Sequence, residues 1–169
     1  MTNFSVLLSV YKKENPIYLE KSLKSIFNQT ITPNEVLLIK DGELTNDLNA
    51  VINSFKSKFS YFKVFGYKKN MGVGYALDFG LKKCNNEIVF RCDSDDINFL
   101  NRFELQLEFM LKNNYAIVGS HIEEFYENPG DLKRFRKVPN RNSDIQKNKF
   151  IRNPFNHMAV VFKKSIIIR

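Results

Sequence analysis

Short apolar runs alternate with amphipathic helical segments over the first 91 residues, and this alternation restricts the fold more than any other feature. FSVLLSV at residues 4–10 and EVLLIK at 35–40 are rich in Val, Leu and Ile, as in strands that are buried on both faces. Two more strands are predicted at 62–67 and 87–91. Strands that alternate with helices build right-handed βαβ units, so the sequence predicts an α/β fold with a mostly parallel sheet flanked by helices.

The helices between these strands are marked by their apolar spacing and their end signals. Asn15 is placed to cap the first helix and Pro16 to occupy its first position, and the apolar spacing continues to about Thr30. Three more helices are predicted at 47–58, 73–84 and 101–112. The remaining segments are a short strand at 116–118, a polar basic loop with Pro129, Gly130 and Pro139, a short helix at 143–151 and a final strand at 158–162. The basic loop is a candidate lid or acceptor segment.

The composition limits the class of protein and its partners. The chain has 169 residues, about one domain, and 43% of them are apolar, enough to bury a core. Its net charge of +8 predicts an anionic partner, and a nucleotide, a nucleic acid and a membrane surface all fit. Cys84 and Cys92 are too few for a structural zinc site and show no disulfide framework, so the cytoplasm is the expected compartment. No segment resembles a signal peptide or a membrane span, so we expect a soluble protein.

Polar residues follow each of the first four strands, where an open α/β sheet binds its ligands. These positions are 11–14, 41–42, 68–72 and 93–96. Asp93, Asp95 and Asp96 place three carboxylates within four residues, and such groups repel one another unless a cation compensates them. Mg²⁺ or Mn²⁺ fits this role, because both ions prefer oxygen ligands. A solvated acidic turn that caps the next helix is the alternative.

The glycines after the third strand admit two interpretations. Gly72 and Gly74 open a helix, as in a dinucleotide fingerprint with Asp93 as the ribose acid. That interpretation fails, because Leu77 occupies the third glycine position and the glycines do not follow the first strand. No Walker loop or nucleophile elbow is present either.

A tight turn at residues 70–72 is the better interpretation. Asn70 and Gly72 let the backbone approach a ligand, while Lys68 and Lys69 offer positive charge to a diphosphate. A plain helix-entry turn with exposed lysines is the alternative.

Four further residues have candidate roles. Tyr11 is placed to stack on a base, and Asp41 to accept a hydrogen bond from a base imide or a ribose hydroxyl, although either position also suits an ordinary loop residue. His121 and His157 are expected to be hydrogen-bonded structural residues, because no nucleophile or carboxylate partner is signalled by their spacing.

Several motifs in order resemble the family 2 inverting glycosyltransferases of GT-A fold. They are SVYKKE at 9–14, Tyr18-Leu19 and Ser22-Leu23 in the first helix, Asp41-Gly42, Asn70-x-Gly72 with Ala76 and Gly80, RCDSDD at 91–96, and, more loosely, the acceptor-side segment NPFNHMAVVFKKS at 153–165. The resemblance implies a Rossmann-like sheet in one structural domain. Residues 1–96 would form the nucleotide-sugar half, which ends in the DxD motif, and residues 97–169 would begin the acceptor-side half.

The resemblance also implies an activity and a set of ligands. A bacterial enzyme of this kind would transfer a sugar from a UDP-sugar to a saccharide or lipid-linked saccharide with inversion, in cell-surface polysaccharide synthesis, with Mn²⁺ or Mg²⁺ as cofactor. The metal ligands would be Asp95 and Asp93, with Asp96 supporting the turn or touching the sugar. The resemblance implies that Tyr11 and Glu14 contact uracil and ribose, Asp41 the uracil ring, and Asp93 the ribose or the sugar. With the strand-end residues, the expected donor-binding set is Ser9, Tyr11, Glu14, Asp41, Lys68, Asn70, Gly72 and Asp93.

The sequence departs from the family at two places. Ala76-Leu77-Asp78 stands where members usually carry Ala-Arg-Asn, so the arginine contact to the diphosphate is missing. The catalytic base of the family usually lies in a Glu-Asp motif farther along the chain, so we expect the base beyond residue 169 and an incomplete catalytic domain. Glu123 and Glu124 are the available substitutes, and surface positions are the alternative for both.

Two other functions, nucleotide binding without transfer and RNA binding, are the alternatives, and a membrane contact is a further prediction. A nucleotide-binding module without transfer activity would share every donor-site residue. RNA binding is disfavoured, because aromatic RNP motifs are absent and the acidic turn would repel phosphates, so no nucleic-acid partner is expected. The basic residues within 133–149 predict a peripheral contact with the inner face of an anionic membrane, with a solvated loop as the alternative.

Overall fold

A computed structural model describes residues 2–167. The strands are β1 (Phe4–Val10), β2 (Glu35–Asp41), β3 (Phe62–Tyr67), β4 (Ile88–Arg91), β5 (Ile117–Val118), β6 (Ile122–Glu124), β7 (Arg134–Arg136) and β8 (Val161–Lys163). Six of them form one sheet in the order β3-β2-β1-β4-β8-β5, and β6 and β7 form a separate hairpin. The first four strands are parallel, whereas β8 runs antiparallel to both β4 and β5. The mostly parallel sheet is therefore confirmed.

The helices are α1 (Pro16–Phe27), α2 (Asn46–Lys56), α3 (Val73–Leu81), α4 (Arg102–Lys112) and α5 (Asn142–Asn148). The side chain of Asn15 accepts a hydrogen bond from the backbone N–H of Ile17, at 2.9 Å, and thus caps α1 as predicted. None of the helices in residues 2–167 combines the length and the apolar content needed to cross a bilayer.

Four predicted boundaries and one predicted loop were wrong by three residues or more. Helix α1 ends at Phe27, α3 at Leu81 and α5 at Asn148, each three residues early. A turn of 3₁₀ helix (His157–Ala159) replaces the start of the final predicted strand. The basic loop contains strand β7, which pairs with β6 although both strands have only three residues. Strands that pair across a long loop are hard to predict from the sequence, because their strand conformation depends on the partner segment and not on neighbouring residues.

The side chains of β1 alternate between two cores. Leu8 points to the side covered by α1, α2 and α4, and the opposite face carries Leu7, which packs in the smaller cluster beneath α3. Both faces of β1 are buried, as a continuous apolar run requires. Cys84 and Cys92 are buried free thiols, and burial raises the pKa of Cys84 to about 12.

Glu35, at the amino end of β2, is a buried carboxylate with partners on three other segments. It accepts hydrogen bonds from the Ser5 hydroxyl at 2.7 Å, the Lys63 ammonium at 2.8 Å and the Asn85 backbone N–H at 2.6 Å. Burial raises the pKa of Glu35, but these hydrogen bonds outweigh burial and lower it overall. Glu35 thereby joins β1, β2, β3 and the segment before β4 at the edge of the sheet opposite the polar turns.

Helix α3 lies unusually close to the sheet at Gly80. A Cβ atom at this position would lie 2.7 Å from Cγ1 of Ile39 and closer still to Cδ1 of Leu7. At Gly74, in the same helix, a Cβ atom would meet no atom within 4 Å. The close packing of α3 therefore depends on Gly80 and not on Gly74.

We expect Gly80→Ala to lower the free energy of unfolding by about 1–3 kcal/mol, because the added methyl group overpacks the contact with β1 and β2. Gly74→Ala is the matched control and should raise it by about 0.5–1 kcal/mol, because alanine favours the helix and the site is open. Denaturant unfolding measures both values. Equal effects of the two substitutions would contradict the close approach at Gly80.

Candidate functional site

The loop after β1 and the acidic turn after β4 are joined directly. The Ser94 hydroxyl donates a hydrogen bond to one carboxylate oxygen of Glu14, and the other oxygen accepts from the Asn15 backbone N–H at 2.8 Å. The Ser22 hydroxyl of α1 also donates a hydrogen bond to this turn, to the backbone carbonyl of Asp93 at 2.8 Å. The structure therefore brings the predicted residues Glu14 and Asp93 to one place.

Asp41 organises the turn that follows β3. Its carboxylate accepts four hydrogen bonds: from the Tyr67 hydroxyl at 2.9 Å, the Asn70 amide at 2.9 Å, the Met71 N–H at 2.7 Å and the Gly72 N–H at 3.0 Å. Asp41 is only 4% exposed. A carboxylate has about four acceptor positions, so Asp41 positions Asn70 and Gly72 and has none left for a ligand.

The turns after β2 and β3 form one unit. Gly72 has φ +92° and Gly42 has φ +88°, conformations that favour glycine. A Cβ atom at Gly42 would lie 2.8 Å from the backbone nitrogen of Asn70, so the two turns touch. Lys68 and Lys69 are exposed on this unit, where an anionic ligand can reach them.

Three aspartates form a compact group after β4. Asp93, Asp95 and Asp96 each offer an oxygen within 4.8 Å of the others. Burial, followed by the charges of Asp95 and Asp93, raises the pKa of Asp96 to about 6. Its Oδ2 atom is buried and has no hydrogen-bond partner among the described residues. An all-oxygen donor set with an unpartnered buried oxygen fits a hard divalent cation such as Mg²⁺ or Mn²⁺.

Asp93 differs from Asp95 in its surroundings. The Arg91 guanidinium donates a hydrogen bond to Oδ1 of Asp93 at 3.1 Å, and Nδ1 of His157 lies 3.8 Å from Oδ2. Asp95 is exposed and has no ion-pair partner within residues 2–167. Asp95 is therefore the more available of the two predicted metal ligands.

The roles of Arg91, His157 and Arg102 at this turn were not predicted from the sequence. Arg102 donates to the backbone carbonyl of Arg91 at 2.8 Å and to the side chain of Asn98, which fixes the acidic turn from behind. The position of Arg91, only two residues before Asp93, was a usable signal, because a guanidinium group so close in sequence can reach the carboxylate. His157 offered none, because its contact with Asp93 spans most of the chain.

Three other predicted residues lie near this edge without side-chain hydrogen bonds inside the described chain. Ser9 is partly buried in β1, Tyr11 is 44% exposed directly after β1, and Lys68 is exposed after β3. The structure leaves these side chains free, in contrast to Glu14 and Asp41, whose carboxylates are already engaged.

Glu123 and Glu124 lie on β6 and line a cavity of about 310 Å³ together with Asp95 and Asp96. Glu124 forms an ion pair with Arg134 of β7 at 3.0 Å, whereas Glu123 has no ion-pair partner in residues 2–167. The hairpin thus brings both candidate bases into the same cavity as the acidic turn.

The fold is that of GT-A glycosyltransferases. TarS from S. aureus, in a complex with UDP-GlcNAc, superposes with a TM-score of 0.75 at 19% identity, covering 98% of this chain and 46% of TarS. The mannosyltransferase PcManGT from Pyrobaculum calidifontis, in complex with GDP-Man and Mn²⁺, gives 0.69 at 14% identity and covers 98% and 45%. The predicted fold is therefore confirmed.

Sequence comparison gives the family. Residues 5–167 match Glycosyl transferase family 2, and the chain belongs to this family. It is 49% identical to the UDP-Gal:alpha-D-GlcNAc-diphosphoundecaprenol beta-1,3-galactosyltransferase of Escherichia coli, over 98% of this chain and 60% of the relative. It is 37% identical to the amylovoran biosynthesis glycosyltransferase AmsE of Erwinia amylovora, over 98% and 61%. The chain thus spans about 60% of the length of these relatives.

We expect Asp41→Asn to lower the free energy of unfolding by about 2–3 kcal/mol, because an amide cannot accept all four hydrogen bonds and leaves buried donors unpaired. Asp78→Asn removes the same charge from an exposed pair with Lys82 and should change stability by less than about 0.5 kcal/mol. Denaturant unfolding compares the two variants. If both are as stable as the parent chain, Asp41 does not organise the turn.

Proposed function

We propose that this chain binds a UDP-sugar at the carboxyl edge of its sheet and acts in bacterial glycosyl transfer, in the synthesis of a polysaccharide or a lipid-linked saccharide. The acidic turn 93–96, joined to the loop after β1 by the Glu14–Ser94 hydrogen bond, is the observation that carries this proposal. The complexes of TarS with UDP and UDP-GlcNAc support a UDP-sugar donor. The E. coli relative, named for UDP-Gal, supports it independently.

Side chains without hydrogen-bond partners would contact the nucleotide. Side chains that are already hydrogen-bonded would hold the surrounding turns in place. Tyr11 offers a half-exposed ring on which uracil stacks, and Ser9 and Glu14 are close to it in sequence. Lys68 supplies positive charge for the diphosphate. The direct contact of Asp41 with uracil that the family resemblance implies would require one of its four hydrogen bonds to open, so we assign Asp41 the positioning of Asn70 and Gly72.

The divalent cation would be held by Asp95, Asp93 and Asp96, with the exposed Asp95 as the main ligand. The Mn²⁺ complex of PcManGT supports a metal at this kind of site. When bound, such an ion supplies positive charge that stabilises the negative charge developing on the leaving diphosphate. Arg91 keeps Asp93 oriented while the donor binds.

Transfer with inversion requires a carboxylate that takes the proton of the acceptor hydroxyl. Both candidates within this chain share the cavity with Asp95, and Glu123 is the better of the two because Glu124 is paired with Arg134. A base in the part of the relatives that this chain does not span is the alternative. In that case this chain alone would bind the donor without transferring sugar, as a nucleotide-binding module would.

The charge distribution supports a proposal for the acceptor and the location. Residues 133–152 carry eight lysines and arginines and one aspartate, a net charge of +7 against +8 for the whole chain. Phe150 and Ile151, within this segment, are 86% and 81% exposed. Basic residues around exposed apolar ones fit an anionic membrane surface, where a lipid-linked saccharide acceptor would be found. The diphosphoundecaprenol-linked acceptor named for the E. coli relative supports this proposal.

We expect the chain to bind UDP more tightly with Mn²⁺ than with chelator, and Asp95→Asn to reduce the Mn²⁺-dependent affinity by about tenfold or more, because it removes a charged ligand. Asp47→Asn, at the exposed first turn of α2, is the matched control and should bind like the parent chain. Titration calorimetry measures all three proteins. If Asp95→Asn retains the full effect of Mn²⁺, the metal ligand is assigned wrongly, and no UDP binding by the parent chain would refute the donor site.

We also expect the chain to sediment with vesicles that contain phosphatidylglycerol and not with phosphatidylcholine alone, and to lose this binding in high salt, since each basic residue contributes about 1 kcal/mol. Phe150→Ser should weaken the binding, whereas Phe109→Ser, exposed on α4, serves as its control. Binding that ignores both lipid charge and salt would argue against this contact.

A further inference from the structure

A second, smaller cavity lies beside the acidic turn and carries two arginines. It has a volume of about 170 Å³ and lies between β7 and the segment 152–158. Arg136 comes from β7, Arg152 follows α5, and Asn153 and His157 are part of the polar lining. The volume is below the 300–1,000 Å³ of typical sites for whole small molecules, so it fits the head group of a ligand.

A buried amide holds the two sides of this cavity together. Asn156 is 4% exposed and donates hydrogen bonds to the backbone carbonyl of Ser120 at 3.0 Å and to that of Arg136 at 3.3 Å. The strand that carries Arg136 is therefore fixed to the turn that carries His157. The position of Arg136 in the cavity follows from the fold of the hairpin.

The charge of the two arginines is not compensated locally. Within residues 2–167 neither guanidinium forms an ion pair, and no carboxylate lines the cavity. Arg134, two residues before Arg136, is instead paired with Glu124. Guanidinium groups bind phosphate oxygens in a bidentate fashion, so a free pair of them favours a phosphate-bearing ligand.

His157 lines the cavity and also lies close to the acidic turn. Nδ1 of His157 lies 3.8 Å from Oδ2 of Asp93, so a head group in the cavity would lie next to the proposed sugar donor. The exposed pair Phe150-Ile151 directly precedes Arg152 and offers an apolar surface to an attached lipid chain. Charge, size and position together match a lipid diphosphate.

We propose that Arg136 and Arg152 bind the diphosphate of a lipid-linked acceptor, which places the acceptor saccharide toward the acidic turn. This proposal rests on the proposed function, because it assumes a sugar donor held at Asp93–Asp96. It assigns the cavity to the acceptor and not to the diphosphate of the donor.

Geranyl diphosphate is a soluble probe for this site. In calorimetry with chelator present, so that the probe cannot bind through a metal ion at the acidic turn, the parent chain should bind it more tightly than geranyl monophosphate. We expect Arg136→Gln and Arg152→Gln each to weaken this binding by about tenfold, because each removes a charge-assisted contact. Arg134→Gln carries the same charge change on the same strand outside the cavity and should bind like the parent chain. Inorganic pyrophosphate should bind more weakly than geranyl diphosphate, because it lacks the chain that the exposed Phe150-Ile151 pair would contact.

Binding of UDP with Mn²⁺ and thermal unfolding are measured on the same variants. Both should match the parent chain in Arg136→Gln and Arg152→Gln, because the two side chains are exposed and lie outside the donor residues. Equal weakening by all three arginine substitutions would overturn the proposal in favour of a diffuse charge effect. Loss of UDP binding in the two cavity variants would overturn it in favour of a donor contact. Absent geranyl diphosphate binding beside intact UDP binding would refute this inference alone.

Discussion

The burial of β1 on both faces is the constraint on which the rest of the structure depends. β1 pairs with β2 on one side and β4 on the other, and all three run parallel. Parallel neighbours end at the same edge, so the polar segments that follow them must meet there. The Glu14–Ser94 hydrogen bond joins two of these segments, which are 80 residues apart in sequence. The site thus follows from the pairing of three apolar strands.

Strand β2 carries a buried carboxylate at each end, and the two have different tasks. Glu35 joins neighbouring segments at the amino edge, where no ligand is proposed. Asp41 holds the 70–72 turn at the carboxyl edge through Met71 and Gly72 backbone bonds. A carboxylate with four donors is oriented rigidly, because moving it leaves several buried groups unpaired. The 70–72 turn is therefore held in place by hydrogen bonds within the protein itself.

The sequence predicted the elements whose signals are local. β1 and β3 have the predicted bounds, and the cap at Asn15 was correctly placed, since apolar periodicity and end residues act within a few positions. The family and the GT-A fold were predicted as well, from motifs in order. Pairing of β6 with β7 and the approach of His157 to Asp93 were not predictable in this way, because both depend on segments that meet only in the folded chain.

The place of β8 in the sheet has a consequence for how the chain is made. β8 lies between β4 and β5, although it follows both in sequence. While the ribosome synthesises the intervening residues, β4 has one unpaired edge with free N–H and C=O groups, and β5 has no strand to join. Such an edge invites pairing with another chain. Among the strands of residues 2–167, the one that is synthesised last is thus the one that covers this edge of β4 and joins β5 to the sheet.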